Sequence, residues 1–139
     1  MEFTQTTPSS NWTVAHNLNS SQPVVDVWID DNGITTAILP KQIQIANANT
    51  LNISFSIPLS GTAVVNTTST QNHTHNQSTS SNEWHIIHDF GSKFVNIEVM
   101  VQYNGALQSI TPQNITSINN NQVNVYFSTP FTGLARVSK

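Results

Sequence analysis

The sequence predicts an all-β protein, two tandem repeats of a small antiparallel β-sandwich or barrel-like unit. Three observations predict it. The chain falls on itself without a gap when shifted by 72 residues, and 18 of the 54 positions between 12–65 and 84–137 are then identical. Apolar residues alternate with polar ones through most of both copies, the period of a half-buried strand. Asn, Ser, Thr and Gln make up 61 of 139 residues. Short polar side chains of this kind compete for backbone hydrogen bonds in a helix, so they favour strands and turns.

Each element follows in order. Trp12-Thr-Val14-Ala-His16 alternates, and Trp84-His-Ile86-Ile-His88 matches it. Val25, Val27 and Ile29 align with Ile97, Val99 and Val101 on one face of the next strand. Asp26 and Trp28, like Glu98 and Met100, take the other face. Asn32-Gly33 and Asn104-Gly105 close hairpins, because both residue types accept the positive φ of a tight turn. Short extended pieces follow, around Pro40 and Ile43 or Pro112 and Ile115, and then a turn at Asn47 to Asn49 or Asn119 to Asn121. Leu51, Ile53 and Phe55 align with Val123, Val125 and Phe127 as a core strand. Pro58 to Gly61 and Pro130 to Gly133 turn the chain before a last strand at 63–65 and 135–137. Residues 1–10 and 66–82 are polar, and 66–82 holds no hydrophobic residue. The expected organisation is a flexible tail (1–10), a repeat (11–65), a linker (66–82) and a second repeat (83–139).

Composition narrows the function. Four Lys/Arg against seven Asp/Glu leave a net charge of −3 with no basic patch, which argues against nucleic acid, whose phosphates need neutralising. Met1 to Ser10 lacks the basic start and apolar stretch of a secretion signal. No run nears the ~18 apolar residues of a spanning helix, so a soluble protein away from membranes is expected. Cysteine is absent, which excludes disulfides and thiolate chemistry.

No Ser-His-Asp order, zinc signature or phosphate-binding glycine loop appears. Glu83 and Asp89 flank Trp84, but six strand residues would hold them roughly 20 Å apart, too far for paired carboxylate catalysis. A non-enzymatic protein is expected. Asp26, Asp30, Asp31 and Asn32 suggest a calcium loop only until the second copy is compared. It carries Glu98, Gln102, Tyr103 and Asn104 there, so the shared element is turn chemistry. His16 and His88 recur with the tryptophans, which favours a structural role with a ring nitrogen bonded to backbone. His73 and His75 lie two apart and would point the same way on an extended chain. Two ligands bind a metal weakly, but a threefold axis would gather six imidazoles around a transition metal. The plainer reading is a pair of solvated histidines and no cofactor.

A unit of this size buries little surface alone. Trp28, Val64, Met100, Tyr126 and Leu134 would point outward from an isolated unit, and apolar groups of this size mark an interface. That interface is either a partner in an oligomer or the other repeat of the same chain.

The repeated string Trp-x-x-x-His, alternating Val, Asn-Gly, Pro and Phe-Ser-x-Pro-x-x-Gly-x-Ala-x-Val resembles β-repeats in virion proteins of tailed bacteriophages. One departure is Gly91, which stands where the first copy has Asn19. The resemblance implies a non-enzymatic structural or adaptor component of a tail fibre, collar or tail appendage. Such a protein would be a homo-oligomer that contacts other virion proteins, and would be made in the bacterial cytoplasm and carried on the particle. A second expectation is a receptor- or glycan-binding β-sandwich module that uses Trp28 and Tyr126 against host-surface sugars.

Overall fold

The computed structural model describes all 139 residues, Met1–Lys139, and contains ten strands and no helix. In order they are β1 (Glu2–Ala15), β2 (Val24–Asp31), β3 (Ile34–Ile38), β4 (Gln42–Asn47), β5 (Thr50–Asn66), β6 (Asn72–Ile87), β7 (Asn96–Tyr103), β8 (Ala106–Ser109), β9 (Asn114–Asn119) and β10 (Gln122–Ser138). Hydrogen bonding joins them into one open antiparallel sheet in the order β1-β5-β2-β3-β9-β10-β7-β8. β4 pairs off the path with β5, and β6 with β10.

Two long strands carry the layout. β5 has β1 along one side and β4 then β2 along the other. β10 likewise has β6 on one side and β9 then β7 on the other. The β1–β5 and β6–β10 pairings both shift register near Pro58 or Pro130, where the ladder bends. Beyond the bend stands a glycine whose absent side chain matters. A Cβ on Gly61 would run into the Trp28 carbonyl oxygen, and one on Gly133 into that of Met100. The shared glycines therefore let β2 and β7 lie close against the long strands.

The hairpin turns form as expected. Asn32 and Gly33 have φ of 52° and 85°, and Asn104 and Gly105 have 50° and 80°. Asn19 and Gly91 also share a conformation, at 50° and 68°. The departure between the copies there is a swap between two residues that tolerate left-handed backbone.

Two segments differ from expectation. The presumed tail, 1–10, lies within β1, and most of the presumed linker, 66–82, lies within β6. Only Thr67 to Gln71 is outside strands between β5 and β6, and backbone bonds between Gln71 and Lys139 pin its end. Polar composition misled because a ladder is made by backbone groups, and an edge strand needs few apolar side chains. The 72-residue shift in fact continues through both segments. Gln5, Thr7 and Ser9 recur as Gln77, Thr79 and Ser81, with the same hydrogen bonds. Gln5 and Gln77 donate to the carbonyls of Thr7 and Thr79, and the Ser9 and Ser81 hydroxyls donate to those of Asn11 and Glu83.

The core comes in two clusters. One holds Trp12, Val14, Leu51, Ile53 and Phe55 with neighbours from the N-terminal half. The other centres on Trp84, Ile86, Val123, Val125 and Phe127 and also takes in Trp28 and Val64. The two tryptophans are held alike. Trp12 Nε1 donates to the carbonyls of Ser9 and Leu59, and Trp84 Nε1 to those of Ser81 and Phe131.

Candidate functional site

The most structured feature beyond the two cores is the seam where the halves meet. Trp28 comes from β2, and its side chain crosses onto the C-terminal half. It is fully buried, and its Nε1 donates to the Val95 carbonyl at 3.0 Å. Val64 is also buried there, with Ala37 of β3 against the same cluster. These residues look outward from their own half because strand alternation sends them away from Val27 and Val65.

Trp28 and Val64, two of the outward interface candidates, are therefore closed inside the chain. Trp28 offers no face for a sugar to stack on. The other three candidates, Met100, Tyr126 and Leu134, are half-buried on the C-terminal half. Leu134 stands opposite Met100 in the β10–β7 ladder. Tyr126 receives a hydrogen bond at its hydroxyl from Asn124 Nδ2 at 3.3 Å. It lines an open, mostly polar hollow with Lys93, Asn114 and Thr116.

A polar chain runs beside the Trp28 anchor. Asn96 Nδ2 donates to Asp26 Oδ2 at 2.7 Å and more weakly to the Val64 carbonyl, while Asn66 Nδ2 donates to Asn96 Oδ1. The Ile97 backbone amide also donates to Asp26. Burial is the largest influence on this carboxyl and raises it from 3.8 to about 6, against the lowering effect of those two hydrogen bonds. Glu2 bridges the halves at the rim, accepting from Lys139 Nζ at 2.9 Å and Ser92 Oγ at 3.3 Å. The sheet itself crosses the seam where β3 pairs β9, with Thr35 opposite Ser117 and Thr36 opposite Thr116. Asn66, Asn96 and Val95 were not singled out from sequence. The signal available was that all three sit at positions where the copies differ.

A groove of about 510 Å³ opens along the seam, lined by Asp26, Ala37, Leu39, Ile97, Ile110 and Pro112 among others. Its ionisable groups are Asp26 and Glu98. Asp30, from the rejected calcium pattern, accepts the Gly33 amide at 2.6 Å and so serves the hairpin turn. Glu83 pairs with His85 at 2.8 Å on the surface.

His73 and His75 lie on the half-buried face of β6, opposite Val137 and Ala135. His75 stands where the first copy has Phe3. The two rings pack on their tryptophans at similar separations, 6.1 Å for His75 to Trp84 and 6.3 Å for Phe3 to Trp12. His75 Nε2 is also 2.8 Å from Gln77 Oε1. The side chain thus has a packing role, and no group of three or more metal-ligating side chains gathers in the chain.

His16 and His88 hold the bends after Ala15 and Ile87. Their Nδ1 atoms accept the Leu18 and Phe90 amides at 3.3 and 3.2 Å, and their own amides bond to the carbonyls of Asn49 and Asn121. The Nε2 atoms are buried without a partner. His88 is held below 6.5, first by burial and then by nearby His73, with Asp89 opposing. Asn49 and Asn121 complete the unit by accepting the Asn19 and Gly91 amides through Oδ1.

No family model, curated protein or solved structure matches this chain.

Proposed function

We propose that the chain is a non-enzymatic structural or adaptor component of a tailed-phage virion, acting through protein–protein contacts in a symmetric assembly. Within it, each half works as a sandwich-like unit wrapped on its own tryptophan core. The observation that carries the assembly role is the seam. The distinctive side chains of this molecule, Trp28, Val64, Asp26 and Asn96, are spent on joining β-units edge to edge and face to face. The phage assignment rests on the repeated Trp-x-x-x-His to Phe-Ser-x-Pro-x-x-Gly-x-Ala-x-Val string. The test is quantitative mass spectrometry of purified particles from the host that carries this gene. A fixed copy number per particle, set by the symmetry of fibre, collar or tail, is expected. Absence of the protein from intact particles would overturn the reading.

Glycan binding has one supporting observation, the polar hollow beside Tyr126. A glycan array with Tyr126→Ala as control distinguishes the two. Binding lost in the variant would favour the receptor role.

A further inference from the structure

The internal repeat makes the seam a template. Shifted by 72 residues, β3 becomes β8 and β4 becomes β9. Inside the chain β3 pairs with β9. Their counterparts have no such partner: β8 pairs only with β7, and β4 only with β5. Every residue of both strands is exposed. Besides the outer edges of β1 and β6, the chain thus presents two bare strand edges that match one another as β3 matches β9.

Solvent-facing edges are normally blunted with charge, proline or a bulge that stops further pairing. Gln-Ile-Gln-Ile-Ala-Asn (42–47) and Ala-Leu-Gln-Ser (106–109) carry no charge and no proline. The irregularity of β4 between Ile45 and Asn47 recurs in β9 between Ser117 and Asn119, and β9 pairs with β3 all the same, so it does not close the edge.

Side chains around the bare β4 edge go the same way. In the C-terminal half, Asn96 and Ser117 are covered by the N-terminal half, each 4% exposed. Their counterparts, Val24 and Ile45, are 56% and 38% exposed. These two positions are polar where covered and apolar where uncovered. A terminal repeat facing water shows the reverse, a polar outer face. At the other bare edge Leu107 is 48% exposed where the seam has the half-buried Thr35.

We propose that a second copy of this chain docks head to tail, β8 of one molecule adding to β4 of the next. The internal register transfers directly, setting Leu107 opposite Ile45 and Gln108 opposite Gln44 of the neighbour. Such a contact is heterologous, so it propagates into a ring or a filament according to the rotation per step. Met100 replaces the Trp28 anchor and Arg136 replaces Val64, so the contact is weaker than the internal seam and forms at high local concentration. This deepens the assembly reading and rests on it for the meeting of many copies.

The experiment is sedimentation velocity on the full chain from micromolar to about 1 mM, with two variants, Leu107→Lys and Ile45→Lys, both at exposed edge positions. The wild type is expected to grow in mass with concentration beyond the dimer. Each variant keeps one sound edge and remains monomeric alone. Mixed in equal amounts they form dimers and nothing larger, because only one sound β8 meets one sound β4; this recovery also shows that both variants are folded. A wild type that stays monomeric throughout, variants that associate alone, or a mixture that stays monomeric would each overturn the inference. A monomer in solution that is nevertheless present on particles would sink the docking mode and leave the assembly role. Self-association with absence from particles would do the opposite.

Discussion

Gly61 sits where β2 presses on β5, and a methyl group there meets the Trp28 carbonyl rather than a side chain that could turn aside. Gly61→Ala is expected to cost about 1–3 kcal/mol or more, measured by urea unfolding; a loss under about 0.5 kcal/mol, the range of neutral surface changes, would contradict this close approach. Asp26 gives a pH signature. Its carboxyl is raised to about 6 in the fold, so its contribution is favourable below about pH 4 and is lost as the pH rises through 6. His88 acts with opposite sign. It is lowered in the fold, so acidification below 6.5 protonates the unfolded chain first and removes stability. The two offset each other in wild type. Asp26→Asn is expected to unmask the His88 effect, giving a melting temperature that falls more steeply from pH 7 to 5 than in wild type. Equal slopes would contradict the buried carboxyl. Trp28 shows what one sequence reveals at this scale. Alternation placed it on the outer face of its strand, but strand period says nothing about what covers that face. His75 was similarly misleading, since its match to Phe3 becomes visible only once β6 is recognised as a copy of β1.

At the scale of elements, the core strands and hairpin turns were legible because period-2 burial and positive-φ residues are local properties. Leu51, Ile53 and Phe55, and their counterparts Val123, Val125 and Phe127, all face a core as the alternation requires. The edge strands were not legible. β1 and the first half of β6 hold their place through ladder bonds to β5 and β10, and a polar string says little about where its backbone pairs. Hydrogen exchange tests this directly. Amides of 73–77 that bond to β10 are expected to be protected well beyond random-coil rates, comparably to those of Phe3 to Gln5. Exchange at coil rates would restore the linker reading.

At the scale of the molecule, the halves are coupled by one buried tryptophan, a short ladder and a polar chain from Asp26 to Asn66. Trp28→Ala removes the largest of these and leaves a void against Val95 and its neighbours. Such losses cost about 3–5 kcal/mol, a large part of the 5–15 kcal/mol that holds a domain together. The expected result is a broadened or two-step thermal transition as the halves separate, and a single sharp transition at the wild-type temperature would contradict the seam's importance. The repeat was legible as an offset of 72. How its copies join was not, because joining depends on positions where they differ. Two of those positions, Val24 and Ile45, leave apolar side chains exposed around the bare β4 edge.

The most direct test of this account is a covalent one, since the chain has no cysteine of its own. Opposed residues of an antiparallel pair stand about 4.5–5.5 Å apart between Cα atoms, within reach of a disulfide. A double variant, Leu107→Cys with Ile45→Cys, is oxidised at high concentration and run on a denaturing gel without reductant. The account predicts a ladder of dimers, trimers and larger species that collapses to monomer on reduction. A gel showing monomer alone, under conditions where a Thr35→Cys, Ser117→Cys control closes its internal bridge, would contradict it.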